Sequence, residues 1–511
     1  MTTKVISLQV GAGIQRDGTT FASPTYIDGK WVRFQYGRPR KIGGYNASFL
    51  NASGISRGMI MSSDNGLNYV ISGYSNGVEQ WTTDNDDAVG FGPVSFTING
   101  FSSNSNNLWQ FDIGYDALGN GQNNLIAHPG QNLSDISSTV NTRPLYGPFT
   151  GSTLSPVGVF TASGTLTSGT PTVTFASTIS AIGAGMSVTG TGIPVGTTVI
   201  SALIVGSVWT VTLSQNATAS GLNTLTFDNN ISVSGGVVML FPYLFVYGNN
   251  GYIANCAAGD FNNWTSADSN KNNVSSTKVV KGLPLRGGTT SPAGLFWTLD
   301  SVVRVTYAPQ QVGNQTLYWR YDLITQQSSI MSSQCVIEYD GIFYWAGTDR
   351  FLMYNGVVQE VPNTQNFNYF FDNLNYLQRQ KVWVSKVPRW GEIWWFFPSG
   401  DSEECNDAVV FNVREKCWYD AGQALGARRS SGVFSEIFRK PIWAGWEQNN
   451  SGKYTLWQHE KGTNMIYTNN VDAIESYFET NVIGQSIGLV GSAQGAGDNL
   501  WTRIERVEPD F

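Results

Sequence analysis

The sequence predicts an all-β fold, namely a β-propeller with an inserted small β domain and terminal arms. Glycine accounts for 57 of the 511 residues, aromatic residues for 13% and charged residues for 13%. This composition is typical of neither a disordered chain nor a helical bundle. Apolar segments separated by Gly, Asn and Asp turns recur roughly every 40 to 50 residues, a spacing that predicts about six or seven four-stranded blades. A series of β-sandwiches would give similar intervals and is the alternative.

The blades are recognised by their hairpins. Residues 240–247 (LFPYLFVY) are followed by a glycine- and asparagine-rich turn and then by residues 252–254. Residues 392–397 (EIWWFF) are followed by a Pro-Ser-Gly turn, and an apolar segment resumes at 407–411. Two apolar segments around such a turn predict a β-hairpin.

The predicted organisation has five segments. In chain order they are an N-terminal docking arm (1–50), the first part of the propeller (51–158), an inserted Ser/Thr/Gly-rich small β domain (159–230), the second part of the propeller (231–470) and a C-terminal strand extension (471–511). The insert stands out because Asp228 is almost its only charged residue and because residues 164–175 alternate with period two. Loop tips tolerate such insertions, since no ladder hydrogen bonds are lost. Residues 363–384 carry Phe and Leu at three- and four-residue steps, which predicts a short helix packed on the ring.

The charge balance argues against a protein that grips nucleic acid. The net charge is −7, whereas nucleic-acid-binding proteins are basic. An acidic wall with few cations would nevertheless let DNA slide past it. One basic cluster lies near the N terminus, and its members are Lys30, Arg33, Arg38, Arg40 and Lys41. We expect this cluster to dock on an acidic surface of a partner protein; the alternative is a solvated strand face whose arginine stems cover aromatic residues.

The sequence is poorly supplied with residues for catalysis or metal binding. It has two histidines and lacks nucleotide-binding and zinc-protease motifs. Carboxylates at 84–87 and 401–404 do not have the spacing of a calcium loop, which favours solvated turns. The four cysteines form no CxxC pair, and we expect them to be free and buried; a bridge between Cys405 and Cys417 across a hairpin is the alternative. They are Cys256, Cys335, Cys405 and Cys417. We therefore predict no catalytic residues, no metal and no cofactor, and the lack of a run of about 18 apolar residues predicts no membrane span.

One motif keeps an enzymatic alternative open. Ser62, Asp64 and Gly66 lie in the sequence SSDNGLNY, which resembles the Asp-box hairpin of sialidase-type propellers, with Tyr69 in place of the usual tryptophan. The motif occurs once, and its role in that family is also structural, because it locks a turn by side-chain to backbone hydrogen bonds. A sialidase would further need three arginines around a carboxylate and a tyrosine nucleophile with a carboxylate base. Glycan binding or cleavage is therefore the second hypothesis.

Several segments together resemble one family of viral proteins. They are DGKWVRF at 28–34, GRPRKIGG at 37–44, SGGVVMLFPYLFVY at 234–247, YDGIFYWAG at 339–347, YFET at 477–480 and RVEPD at 506–510. In these segments the chain resembles the tail nozzle proteins of short-tailed bacteriophages, also called tail hub, tail tubular protein B or packaged-DNA stabilization proteins. The resemblance covers most of the chain except the insert, which is similar to accessory β domains of phage structural proteins.

The resemblance implies a structural protein of the virion tail. It implies a hexameric ring below the portal and adaptor rings, with an axial channel through which double-stranded DNA passes without specific binding. Such a ring retains the packaged genome and conducts it at ejection. The implied partners are further copies of the chain, the adaptor or head-tail connector protein, a tail fibre or spike, and a plug or needle protein. No catalytic residue is implied. A fibre or decoration protein that contacts the host through the insert is the third hypothesis.

Overall fold

The computed structural model describes most of the chain. The described residues are 10–19, 23–64, 66–83, 90–105, 107–130, 142–285, 291–434, 436–437, 439–468 and 470–480. Strands hold 53% of the residues and helices 4%. This confirms the prediction of an all-β fold.

Six strands precede the first blade. They are β1 (Gly11–Ile14), β2 (Thr25–Tyr26), β3 (Asp28–Lys30), β4 (Val32–Gln35), β5 (Arg38–Lys41) and β6 (Tyr45–Ala52). β1 pairs with β2, and β4 and β5 form a hairpin. β6 becomes part of the last blade.

Two antiparallel sheets follow. The first contains β7 (Met59–Asp64), β8 (Leu67–Tyr74), β9 (Gly77–Thr83) and β10 (Gly90–Ser95). The second contains β11 (Thr97–Ile98), β12 (Gln110–Tyr115), β13 (Asn123–His128), β14 (Leu145–Pro148) and β15 (Thr153–Pro156), with the short β11 parallel to β15. The strands β7–β10 and β12–β15 each form an antiparallel meander of four consecutive strands, the arrangement of a propeller blade.

The inserted segment forms a sheet of its own. Its strands are β16 (Val159–Leu166), β17 (Thr172–Phe175), β18 (Ser187–Gly190), β19 (Val199–Val205), β20 (Val208–Leu213) and β21 (Gly221–Asp228). They lie in the order β18-β21-β16-β17-β20-β19 around a core that includes Val173, Leu225 and Phe227. Asn229 N donates to Gly158 O at 3.0 Å, so the chain enters and leaves the insert side by side.

Five more sheets complete the series. The third and fourth contain β22 (Gly236–Leu240), β23 (Tyr243–Tyr247), β24 (Tyr252–Asn255), β25 (Asn270–Asn273), β26 (Val279–Leu285), β27 (Ala293–Thr298), β28 (Val302–Val312) and β29 (Gln315–Thr325). The fifth and sixth contain β30 (Val336–Tyr339), β31 (Ile342–Ala346), β32 (Phe351–Tyr354), β33 (Val358–Glu360), β34 (Trp383–Val387), β35 (Glu392–Phe397), β36 (Asp407–Asn412) and β37 (Cys417–Asp420). Between them lie the helix α1 (Phe367–Asn373) and a 3₁₀ helix (Tyr376–Lys381), in the region where a short helix was predicted. Two further 3₁₀ turns span Asn249–Gly251 and Leu425–Ala427.

The seventh sheet joins the two ends of the propeller. It contains β38 (Arg429–Phe434), β39 (Pro441–Gln448) and β40 (Tyr454–His459). Its fourth strand is β6, which places Tyr45 opposite His459 and Ala52 opposite Tyr454. Residues 45–50 are thus a blade strand and not part of a free N-terminal arm. The chain then adds β41 (Asn464–Tyr467) and β42 (Asn470–Ala473) beside β6, and β43 (Tyr477–Glu479) pairs with β3.

The first strands of the seven sheets are neighbours around a common axis. β7 lies beside β12 and β38, β22 lies between β12 and β26, and β34 lies between β30 and β38. The fourth and fifth sheets meet through Trp297 and Trp345, whose ring centroids are 5.7 Å apart. Large aromatic side chains likewise fill the other inter-blade spaces, as Phe351 and Trp395 do at 5.0 Å. The described strands therefore form a seven-bladed propeller that the N-terminal strand closes.

Candidate docking surface and the buried ionic clusters

The predicted docking residues lie on three short strands that cross the sixth and seventh blades. Lys30 ends β3, Arg33 lies in β4, and Arg38, Arg40 and Lys41 lie in β5. In the sequence these five cations form one cluster, because they are close together in the chain. The structure separates them into one buried residue and four that reach solvent.

The turn of the β4–β5 hairpin is fixed on the sixth blade. Tyr36 and Gly37 have φ angles of +52° and +73°, the left-handed conformation that a two-residue hairpin turn requires. Their backbone N–H groups donate to the two carboxylate oxygens of Glu415, at 2.8 and 3.1 Å. Because Glu415 lies in the β36–β37 turn, the hairpin is held in place rather than free to move as an arm.

Arg33 is buried, which corrects its assignment as a docking residue. Its side chain is 2% exposed. Its Nε lies 2.9 Å from Glu392 Oε1, and its Nη2 donates to Glu460 Oε1 at 2.6 Å. Burial opposes the charge of the guanidinium, but the two carboxylates outweigh it and raise the pKa of Arg33. A partner protein cannot reach a side chain enclosed in this way, so Arg33 stabilises the fold.

Glu392 is the acidic centre of this buried cluster. Burial raises the pKa of Glu392, while the charge of Arg33 lowers it in part. Tyr419 OH donates to Glu392 Oε1 at 2.6 Å, and Trp394 Nε1 donates to Oε2 at 3.0 Å. Both carboxylate oxygens therefore have partners within the blade, as a buried charge requires.

Lys30 and Lys41 hold the last described segment of the chain. Lys30 Nζ lies 2.5 Å from Glu475 Oε2, and Lys41 Nζ donates to the carbonyl of Ile474 at 2.7 Å. These contacts lie beside the β3–β43 pair, so the two ends of the described chain are joined here. Both lysines reach solvent, but part of their hydrogen-bonding capacity is used within the chain.

Trp390 contacts the buried Arg33 and two of the exposed cations. The guanidinium carbons of Arg33, Arg40 and Arg389 lie 4.7, 5.4 and 5.0 Å from the centroids of its ring system, and Trp390 Nε1 donates to Glu460 Oε2 at 2.9 Å. Cation–π contacts of this kind hold arginine side chains without neutralising them. The charges of Arg40 and Arg389 thus remain directed to solvent.

Residues distant in sequence extend this surface. Arg414 donates to the carbonyls of Arg389 and Pro388, both at 2.8 Å, and Lys416 lies in the same β36–β37 turn. The exposed cations gathered here, which we call the basic patch, are Arg38, Arg40, Lys41, Arg389, Arg414 and Lys416. Half of them come from the sixth blade and were missed by the sequence analysis. The Arg389-Trp390 pair beside a turn is the signal that could have indicated them.

The Asp-box-like motif lies in the hairpin between β7 and β8. Ser62 is 7% exposed, and Gly66 has a φ of +80°. Asp64 Oδ1 accepts a hydrogen bond from Asn123 Nδ2 at 2.8 Å. Since Asn123 begins β13, this carboxylate links the first blade to the second.

A second ionic cluster joins Arg16 and Tyr369 to three aspartate carboxylates. Arg16 Nε and Nη2 donate to the two oxygens of Asp420 at 2.9 and 2.8 Å, and Arg16 Nη1 contacts Asp28. Tyr369 OH donates to Asp407 Oδ2 at 2.5 Å. Burial and the neighbouring Asp420 raise the pKa of Asp407 to about 7.

This second cluster does not resemble the constellation of a sialidase. It contains one arginine, Arg16, whose donors are engaged by Asp28, Asp420 and the carbonyl of Gly29. Burial and the charge of Asp407 raise the pKa of Tyr369, whereas a nucleophile needs a lowered one. Asp407 and Asp420 have no exposed surface. The contacts instead tie the segment around Arg16 to the sixth blade.

The axis of the propeller is closed at the end where the first strands begin. Gln334, which precedes the fifth blade, donates to the carbonyls of Arg57 and Trp109, which precede the first and second blades. Gln110 Nε2 donates to the carbonyls of Gly235 and Val280 at 2.9 and 3.2 Å. These side-chain amides join blades across the centre, so a DNA duplex cannot pass through the propeller itself.

The remaining predicted features are internal. The four cysteines are free and buried, as predicted. Asp84, Asp86 and Asp87 lie outside the described residues. Glu404 is paired with Arg57 and Lys381 at 2.6 and 2.8 Å; burial opposes its charge, but these contacts lower its pKa. Within the described ranges, no group of three His, Cys, Asp or Glu side chains is arranged to hold a metal ion.

No protein-family model matches the sequence, and no curated protein matches it. In the part of the chain that the structure describes, no helix is long and apolar enough to cross a membrane.

Proposed function

We propose that this protein is a structural component of a bacteriophage tail, a nozzle or hub subunit that docks through its basic patch. The observation that carries the proposal is the contrast between the patch and the rest of the chain. Six exposed cations lie on the β4–β5 hairpin and on the turns of the sixth blade that contact it, while the chain as a whole has a net charge of −7. A localised basic surface on an acidic protein favours docking on an acidic protein partner.

The two buried clusters support an assembly protein over a glycan-processing enzyme. Their carboxylates are satisfied by Arg33 and Arg16 within the chain, and both clusters fasten N-terminal strands to the blades. A rigid ring of blades with both ends of the described chain fastened suits a subunit that must resist mechanical load. The sequence resemblance to tail nozzle proteins is the reason for choosing this class.

The closed axis defines how such a subunit would conduct DNA. Because Gln334 and Gln110 join the blades across the centre, the channel must lie between subunits of a ring. The low content of cations agrees with this role, since DNA slides most freely along a wall that makes few phosphate contacts. The acceptor for the basic patch would be the adaptor ring, and the tail fibre and plug proteins would bind elsewhere on the ring.

The docking role is tested with charge-removal variants. Arg38→Ala, Arg389→Ala and Lys416→Ala combined should lower incorporation of the protein into virions at least tenfold without changing its unfolding midpoint. A matched control is Lys271→Ala, Arg350→Ala and Lys453→Ala, which removes three exposed cations from other blades. Quantitative immunoblotting of purified particles gives the readout. Normal incorporation of the first variant would contradict the docking role, and absence of the wild-type protein from virions would contradict the proposed function itself.

A further inference from the structure

The fourth blade extends beyond the propeller as a two-stranded arm. β28 and β29 have 11 residues each, but β27 pairs with β28 only as far as Thr306, which lies opposite Ala293. From residue 308 to residue 317 every residue is exposed. We call residues 308–317 the hairpin arm.

The base of the hairpin arm is firmly anchored. Trp319 is 6% exposed, and its ring centroid lies 4.9 Å from Tyr243 and 4.8 Å from Phe245. Its Nε1 donates to the carbonyl of Asp268 at 3.1 Å. An isolated two-stranded hairpin is marginally stable in water. The exposed part of the hairpin arm therefore gains little stability from contacts with the rest of the chain.

One edge of the hairpin arm is open for pairing. Pro309 has no N–H group and blocks the β28 edge. On β29, the charged side chains of Arg320 and Asp322 protect the part of the edge that belongs to the blade, because charges on an edge strand discourage pairing with another strand. Residues 305–319 contain no charged side chain, and Leu317 is 51% exposed. The outer half of β29 is thus an uncharged edge without that protection.

The inserted domain offers a second edge of the same character. β19 is the last strand of its sheet, and its start is covered because Val199 N donates to Met186 O at 2.8 Å. Beyond that point its described partner is β20 alone. Leu203, Ile204 and Val205 are 61 to 62% exposed, and residues 159–227 contain no charged side chain.

A second copy of the chain is the occupant that fits these edges. Copies that each carry a net charge of −7 repel one another where acidic surfaces approach, so contact is favoured at uncharged surfaces. A closed ring uses a head-to-tail interface, which needs two different patches on each subunit. We infer that the β29 edge of the hairpin arm of one copy pairs with the β19 edge of the next copy. This inference rests on the ring assembly in the proposed function and names the surfaces that would form it.

Engineered cysteines test the contact. Because the native cysteines are buried, Leu317→Cys and Ile204→Cys introduce selectively reactive thiols. We expect a short bismaleimide to cross-link a mixture of the two variants into dimers. The double variant should give a ladder of cross-linked species whose largest member contains as many chains as the ring has subunits. The control is Leu118→Cys, an exposed leucine of the second blade (73%), which should give no dimer with Ile204→Cys.

The outcomes separate this inference from the proposed function. Rings in electron micrographs without the mixed cross-link would overturn the arm contact alone. Cross-linking of Leu317→Cys with itself, but not with Ile204→Cys, would show that two arms meet and would also overturn it. Protein that stays monomeric in solution and in tail assembly reactions would contradict both. A Leu317→Glu variant should lower the fraction of rings at least tenfold, since it buries a charge in the contact.

Discussion

Arg33→Ala provides the most direct test of the buried ionic cluster. The substitution removes a cation that is 2% exposed and leaves the carboxylates of Glu392 and Glu460 without their partner. Breaking a buried ion pair in this way costs about 3 to 5 kcal/mol. Guanidinium chloride titration followed by tryptophan fluorescence reports the loss, because Trp390 and Trp394 lie in the same cluster. The control is Arg38→Ala, an exposed residue of the same hairpin, whose effect should stay within about 0.5 kcal/mol.

The same variant should change how stability depends on pH. Without Arg33, burial still raises the pKa of Glu392 and no adjacent cation lowers it. A carboxyl group whose pKa is higher in the folded than in the unfolded state contributes stability at low pH that is lost as pH rises. The deficit of Arg33→Ala should therefore be larger at pH 8 than at pH 5. Equal unfolding midpoints for Arg33→Ala and Arg38→Ala at both pH values would refute the role assigned to Arg33.

Three further predictions concern other parts of the fold. In the wild-type protein, the raised pKa of Asp407 should make the stability fall between pH 3.8 and about 7, by up to about 4 kcal/mol if the full shift contributes. Asp407→Asn should remove this fall. A fall that persists in the variant would contradict the raised pKa. Gln334→Ala should cost about 1 to 3 kcal/mol, because it leaves two axial carbonyls unpaired, and an unchanged unfolding midpoint would argue against the closed axis. Replacing residues 159–230 by a short Gly-Ser linker should leave the propeller folded by circular dichroism, since the ends of the insert adjoin. Loss of the β-sheet signal would contradict the prediction that the propeller folds without the insert. Loss of host adsorption by otherwise normal particles would favour the hypothesis of a host-contacting fibre protein.

Local features of the fold follow from the sequence more closely than long-range ones. The turn after residue 247 and the alternation within the insert depend on neighbouring residues, and the structure has strands at both places, although turns at 241–242 and 168–169 divide the predicted segments 240–247 and 164–175. The pairing of Tyr45 with His459 carries no local signal, so the sequence predicts residues 45–50 as part of an arm. Arg33 illustrates the same limit for the site. Nothing near it in sequence shows that a carboxylate 359 residues away encloses it.

The basic patch was predicted in part for a related reason. Lys41 and Arg40 are close in sequence and could be grouped by inspection, whereas Arg389 and Arg414 join them only through the turns of the sixth blade. The sequence predicts six or seven blades, and the order of the first strands around the axis gives seven. The periodicity of the sequence indicates about how many hairpins there are, but it does not show which strand completes the last blade.

The position of β6 has a consequence for biosynthesis. Its partner strand ends at His459, so a ribosome must translate more than four hundred further codons before Tyr45 can pair. During that time the hydrogen-bonding edge of this early strand is unprotected in the nascent polypeptide, and unpaired edges invite aggregation. A circular permutant that joins residue 511 to residue 1 and begins after β6 would reduce this separation to fewer than one hundred residues. Such a permutant should refold faster than the natural order, because less loop-closure entropy is lost before the contact forms.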